Sequence, residues 1–217
     1  MALEVDSDRK QPKVGGMVSV RNSLLAILTM GPAYGFQLHG ELATRTAGRR
    51  SVNVGQIYST LERLTRQGAV EDAGSTPDGL PLYRLTAPGR VEALAWLQDT
   101  DSGSGAEWND MLDRVLIASS LPHVDLAPVL AGYRTAWLVR PDRGGDSRRS
   151  IVETGQERLG RSAQDLQARA ALAWLDTVAD AVADTVADTV APDTPVQLHR
   201  GLSQLRPKRG RRPATPA

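Results

Sequence analysis

The chain of 217 residues contains no cysteine. That excludes a disulfide framework, a thiolate metal site and a cysteine nucleophile, and it suits a reducing cytosol. Histidine is nearly as scarce. His39, His123 and His199 are scattered, with no metal-ligand spacing among them. Lysine occurs only at positions 10, 13 and 208, so arginine carries most of the positive charge. No apolar run is long enough to span a bilayer. The N-terminal stretch MALEVDSDRKQPKVGG has no apolar signal core, so nothing points to export and a cytoplasmic location is expected. No glycine-rich phosphate loop is present either; Gly15-Gly16 and Gly144-Gly145 read as loop glycines, and the serines have no placed base. The expectation is a protein with no catalytic residues, no metal and no cofactor.

What is present is organised unevenly. The net charge is +1, yet the stretch from Thr194 onward holds Arg200, Arg206, Lys208, Arg209, Arg211 and Arg212 and no acid, leaving a net −5 on the rest. A nucleic-acid role is therefore not readable from overall charge; it has to come from the arrangement of elements. The length accommodates one or two domains with a real core. Residues 1–17 are polar and glycine-rich and read as a disordered tail. Val20, Leu24, Ile27 and Leu28 then mark the buried face of a first helix, stopped by Gly31-Pro32. A second helix follows with Leu38 and Leu42 inward and Gly48 past its end.

The third helix, in VNVGQIYSTLERLTRQGAVED, is the informative one. Asn53 is a natural N-cap. At about 100° per residue, Val54, Ile57, Leu61 and Leu64 share one sector. Gln56, Ser59, Arg63, Arg66 and Gln67 take the opposite face, with Gly55 and Thr60 at its margins. Glycine, serine and threonine are weak helix formers, so their gathering near a helix start asks for a reason other than propensity. Two short strands then bracket Pro77-Asp78-Gly79, strong turn chemistry. Thr86 can cap a fourth helix with Pro88 in its first turn. Helix, helix, helix, hairpin, helix is the order of a winged helix-turn-helix, whose third helix enters the major groove of duplex DNA. On that reading Gly55 lets the backbone come close, Asn53, Gln56, Ser59 and Thr60 offer polar contacts, Tyr58 offers a hydroxyl, and Arg63 reaches phosphates or base edges.

Beyond a break near residue 103, apolar spacings mark a fifth helix (Trp108, Met111, Leu112, Val115, Leu116) and a sixth (Leu126, Val129, Leu130, Tyr133, Trp137). A long helix is expected from about residue 151 to 190, ending in a four-residue repeat with valine at 178, 182, 186 and 190. The chain from Pro192 onward reads as a disordered basic tail. The fold class is thus mainly α with a small β-hairpin, a winged helix-turn-helix over 18–100 and a helical region over 106–191.

Three stretches together resemble the PadR family of bacterial transcriptional regulators. Gly31, Pro32, Gly35, Phe36 and Leu38 match its first motif, Gly55, Gln56, Ile57, Tyr58 and Leu61 its second, and Tyr83, Leu85, Thr86 and Gly89 its third. The resemblance covers about residues 20–100; ALAWLDTVADAV looks like the late helix of the family's longer members. It implies a cytoplasmic homodimeric repressor that binds an inverted-repeat DNA operator and is released by a small molecule. A small aromatic or hydrophobic effector is the expected class, with Trp96, Trp108 and Trp137 as candidate binding residues. Three departures stand out, one being the basic tail, which is not a family hallmark. The aromatic after Gly35 is usually Tyr and is Phe36 here, so Tyr34 is a candidate to supply a phosphate-bonding hydroxyl. The wing reads DGLPLY, with no cation before Arg84.

Each of these residues has a plainer reading. The polar face of the third helix is also what a solvated surface helix shows, and Tyr58 can be a half-buried core tyrosine. Arg45, Arg49 and Arg50, in the loop before the third helix, are either phosphate contacts or structural. The tryptophans serve equally as core and interface packing. A second functional class is a winged helix used as a protein-interaction module without DNA binding. Such an interface favours large apolar anchors over a polar face, and a gel shift with the protein's own promoter separates the two.

Overall fold

A computed structural model describes residues 14–99, 108–139, 154–187 and 198–204. The described elements run α1 (Val14–Leu28), β1 (Ala33–Tyr34), α2 (Gly35–Arg45), α3 (Val54–Arg66), β2 (Val70–Ser75), β3 (Pro81–Leu85), α4 (Ala87–Gln98), α5 (Trp108–Ser119), α6 (Leu126–Leu138) and α7 (Gly155–Ala187). The mainly helical class with a small sheet is as expected. The sheet has one strand more than the hairpin: β1 pairs with β3, Ala33 opposite Tyr83 and Tyr34 opposite Leu82, giving the antiparallel order β1-β3-β2. A two-residue strand has no alternation to read, and its partner lies about fifty residues away in sequence.

Two cores share one helix. The first joins Leu24, Leu25, Ile27 and Leu28 of α1 to Leu38 and Leu42 of α2, Ile57, Leu61 and Leu64 of α3, Val70 of β2 and Ala93 of α4. The second collects Leu97, Met111, Val115, Ile117, Tyr133, Trp137 and Leu175 from α4 to α7, and Ala26 of α1 reaches into it. Every residue from Ser23 to Leu28, the last turns of α1, is buried, with Ala26 in one core and its neighbours in the other, so the winged helix and the later helices are packed through it. At the seam of α4, α5 and α6 the Arg114 guanidinium lies 5.0 Å from the Trp96 ring centre and 5.8 Å from that of Tyr133. Burial pushes the Tyr133 phenol up to about 12, so it stays neutral.

Three expectations are corrected. α1 begins at Val14, so Gly15 and Gly16 are helical and only residues 1–13 of the expected tail lie outside the described residues. α7 begins at Gly155 rather than near 151, because Thr154 and Glu157 form a capping box. The Thr154 N–H donates to Glu157 Oε2 (2.6 Å) and the Glu157 N–H to Thr154 Oγ1 (3.2 Å), which holds the Glu157 carboxyl below its usual range. The third concerns the stretch after Pro192. Residues 198–204 lie along α2, with Leu202 packed against the first core. The break expected near residue 103 lies outside the described residues.

That late segment is held by a buried charge pair. Arg45 and Glu41, one turn apart on α2, have fully buried side chains. All five guanidinium N–H groups find acceptors: Glu41 Oε2 (2.8 Å), the Ser120 carbonyl (2.9 Å) and Oγ (2.7 Å), and the carbonyls of Arg200 (2.9 Å) and Gly201 (3.2 Å). The other Glu41 oxygen accepts from the Ser203 N–H (2.5 Å), and Gln37 Nε2 donates to the Ser203 carbonyl (2.6 Å). Desolvation lowers the Arg45 pKa and Glu41 partly restores it.

The hairpin returns onto α4 through one close approach. Thr86 caps α4 by accepting from the Gly89 N–H (3.2 Å), while its own N–H donates to the Ala69 carbonyl (3.1 Å) and its hydroxyl to that of Gly68 (2.6 Å). This brings Gly89 so near β2 that an added Cβ would stand 1.8 Å from the Ala69 carbonyl oxygen. Backbone, not a flexible side chain, is in the way. Gly89→Ala is therefore expected to lower stability by about 1–3 kcal/mol or more, as overpacking does, measured as a drop in the urea midpoint; an unchanged midpoint would mean that the hairpin and α4 are free to slide apart.

Candidate nucleic-acid interface

α3 is presented on the surface by contacts that fix its two ends and the loop before it. Its start is set by Asn53, whose Oδ1 accepts from the Gln56 N–H (2.7 Å), and by His39 Nε2 of α2, 2.8 Å from the Val52 carbonyl oxygen. Its end is set by Arg21 of α1, which donates to Gln67 Oε1 (3.1 and 3.3 Å) and pairs with Glu92 of α4. The preceding loop is tied to α5: Arg50 pairs with Asp113, and Arg49 Nη2 donates to Asn109 Oδ1 (2.8 Å). Arg45 belongs to α2 rather than to the loop and is buried, while Arg49 and Arg50 are engaged with α5. Ile57, Leu61 and Leu64 are wholly buried beneath α3.

Above that apolar floor the exposed side of α3 carries Asn53, Gly55, Tyr58, Ser59, Glu62 and Arg66, with Gln56 and Arg63 half-buried. Neither Arg63 nor Arg66 enters an ion pair among the described residues. No acid lies in the first turn of α2 or of α3, and α2 has no side-chain cap at Tyr34. Both helix starts therefore keep their positive dipole ends uncompensated by a carboxylate. The two starts are joined by one contact. The Tyr58 ring lies over Gly35, where an added Cβ would be 2.6 Å from the ring.

Two expected site residues are placed differently. Thr60 is 4% exposed, and its hydroxyl donates to the Gln56 carbonyl (2.7 Å). One residue past the edge of a helix face was enough to turn it inward. Tyr34 is 6% exposed and paired in β1, so its hydroxyl is not offered on this surface as the Phe36 substitution suggested. Ser59 remains exposed, its hydroxyl donating back to the Gln56 carbonyl (3.1 Å) and keeping its lone pairs outward. Gly55 has a second reason to lack a side chain: a Cβ there would stand 3.3 Å from the Asn53 capping oxygen.

The wing offers little positive charge. Arg84, its one cation, is paired across the strands with Glu71 (2.7 Å). The tryptophans are packed against neighbouring side chains. Trp137 is 2% exposed and donates to Met111 Sδ (3.0 Å); Trp108 stacks edge-on against Trp137 and Trp174, with centres 6.4 and 6.3 Å apart; Trp96 faces Arg114. A groove of about 320 Å³ lies between α6 and α7, walled by Leu126, Leu130, Ala131, Ala179 and Val182, with Asp125 and Arg134 at its edge. Trp96, Trp108 and Trp137 are all absent from it. Among the described residues no three His, Cys, Asp or Glu side chains converge as metal ligands, and no helix is long and apolar enough to cross a membrane.

Residues 24–95 match the family described as the transcriptional regulator PadR-like family. No curated protein matches. Among solved structures, a transcriptional regulator from Clostridium thermocellum is 19% identical, with 39% of this chain and 82% of that one covered and a TM-score of 0.35. Bacillus subtilis PadR in complex with operator DNA is 16% identical over 73% of this chain and 97% of that one, TM-score 0.36. The same protein in complex with p-coumaric acid is 16% identical over 85% and 99%, TM-score 0.35.

The Asn53 cap can be checked directly. Asn53→Ala removes the acceptor for one exposed helix N–H and is expected to cost about 0.5–2 kcal/mol of stability. A melting temperature equal to that of the parent would mean that α3 starts without its cap.

Proposed function

We propose, from a winged helix that belongs to the PadR-like family of transcriptional regulators, that this protein is a homodimeric repressor reading a DNA operator through α3. One observation carries the reading: α3 is pinned by Ile57, Leu61 and Leu64 and turns outward a polar face whose Arg63 and Arg66 enter no ion pair among the described residues. The major groove is about 12 Å wide and admits one helix. Gln56, Tyr58, Ser59 and Arg63 are the contacts, while Asn53 and Gly55 sit where the backbone comes closest. Glu62 shares the surface; a carboxylate is repelled by phosphates and can be accommodated at a base edge that donates, such as the cytosine amino group. The uncapped start of α2, beside Tyr58, suits a phosphate. The wing adds no free cation to this docking.

The proposed domain division is a winged helix to about residue 100 and a helical dimerisation region from about 106. In support, every residue of 154–167 is exposed, including Leu159 (73%) and Leu166 (62%). Leu159, Ala163, Leu166 and Ala170 recur at coiled-coil spacing. Half of a 33-residue helix without packing is not stable on propensity alone; a second copy of the helix supplies the missing partner. A small aromatic or hydrophobic effector has its best-supported place in the α6–α7 groove, whose apolar walls belong to the same two helices.

Two measurements test this. Arg63→Ala should weaken operator binding by about 1–3 kcal/mol at one base position if it reads a guanine, or lower the salt slope by about one if it binds phosphate. Parent-like operator titrations would remove α3 as the reading element and favour the protein-interaction module. Leu159→Glu with Leu166→Glu should convert dimer to monomer in sedimentation; a persistent dimer would place the interface elsewhere.

A further inference from the structure

We infer that Glu62 is a specificity-determining residue of α3, one that selects a cytosine amino group in the major groove and penalises the other base edges. This rests on the DNA-binding reading of α3 and deepens it. The placement of Glu62 carries the inference. At about 100° per residue, Gly55, Ser59, Glu62 and Arg66 fall within about 60° of one another, and all four are exposed. They form a ridge directly opposite Ile57, Leu61 and Leu64, which are buried beneath the helix. Gln56 and Arg63 lie down one flank of the ridge, half-buried. Tyr58 lies down the other, its ring over Gly35. A helix set into a groove sends its outermost ridge deepest, so Glu62 goes toward base edges while Gln56 and Arg63 go toward the groove wall. Positions 55, 58, 59 and 62 also have the i, i+3, i+4, i+7 spacing at which a recognition helix places base-contacting side chains. Gly55 has no side chain, and Tyr58 is turned to α2. Ser59 is short, and its hydroxyl donates back to the Gln56 carbonyl (3.1 Å). Glu62 is the long side chain of the set that is left to reach a base.

Glu62 also enters no ion pair among the described residues, although Arg66 stands four residues on, at the spacing that favours a bridge. The helix therefore brings an unpaired carboxylate to a polyanion. Guanine shows it two acceptors, N7 and O6. Thymine shows O4 and a methyl group, and adenine an acceptor N7 beside its amino group. Cytosine shows an amino donor with no acceptor beside it on the same base. Opposite cytosine the carboxylate is satisfied; opposite the others it is desolvated without a full partner, which costs more than the bond gains. A cation on this ridge would add affinity for every sequence through the phosphates. A carboxylate instead adds discrimination, and attraction is left to Arg63 and Arg66 on either side of it.

The experiment uses the full chain and a pool of duplexes randomised over roughly two helical turns, selected by binding and sequenced. The parent should enrich a C·G pair at one position of each half-site. Glu62→Gln should change that position alone to A·T, since an amide bonds adenine N6 and N7 together. Glu62→Ala should lose the preference there and keep it elsewhere. In titrations, replacing the selected cytosine by thymine should weaken the parent about five- to 150-fold and leave Glu62→Ala unchanged. On a scrambled duplex Glu62→Ala should bind more tightly than the parent, because a charge that repels phosphates is gone. Glu62 is exposed, so both variants should melt with the parent. The inference is overturned if both variants select the parent's consensus, if preference is lost at every position alike, or if Glu62→Ala binds the scrambled duplex no more tightly than the parent. A parent that enriches no sequence would instead overturn the DNA-binding reading itself.

Discussion

The buried guanidinium of Arg45 is the interaction on which the arrangement of the chain turns. It collects acceptors from α2, from the end of α5 and from residues 200–201, three regions far apart in sequence. Desolvating an arginine and a glutamate together is costly, and the mutual attraction of the pair repays that only when every remaining hydrogen bond is made. Here all are made, so the pair adds little net stability, but it permits only one placement of its partners. The pair thereby ties α2 to the turn after α5 and to the late segment.

That constraint passes to α3 through short connections. His39 on α2 fixes Val52, and Arg50 pairs the α2–α3 loop to Asp113 of α5. A shift of the second core is therefore felt at the start of α3 by side chains rather than through the loop backbone alone. The exposed face of α3 owes its charge to what is not paired. Arg21, Arg45, Arg49, Arg50 and Arg84 all have carboxylate partners, whereas Arg63 and Arg66 have none among the described residues. In a chain with nearly balanced charge, that selective pairing leaves the face of α3 positive, and overall charge does not reveal it.

The helices were legible because burial of one face imposes a period, and that period survives in sequence at 24–28, 57–64 and 111–115. The hairpin was legible from its turn chemistry and the α4 cap from Thr86 and Pro88. Site residues on the wet side were legible only as a face. Thr60 fell on its margin, and a hydroxyl there is equally able to bond a backbone carbonyl four residues back, which it does. Tyr34 escapes a sequence reading for a different reason: a two-residue strand buries its side chains without leaving any pattern. The tryptophans show the same limit, since nothing in their spacing separates a packed cluster from a pocket wall.

By itself, then, the sequence determined the local elements, the apolar residues beneath α3 and the winged-helix order of the elements, because each depends on neighbours within a few turns or on a motif read in order. Only the tertiary structure decided which arginines are spent on internal carboxylates, which hydroxyls face outward, and that residues 198–204 lie along α2. Those outcomes depend on pairings across some 60 to 160 positions, such as Arg50 with Asp113 and Glu41 with Ser203. A polar segment with no apolar period reads as disordered until the buried charges that need its backbone carbonyls are seen beside it.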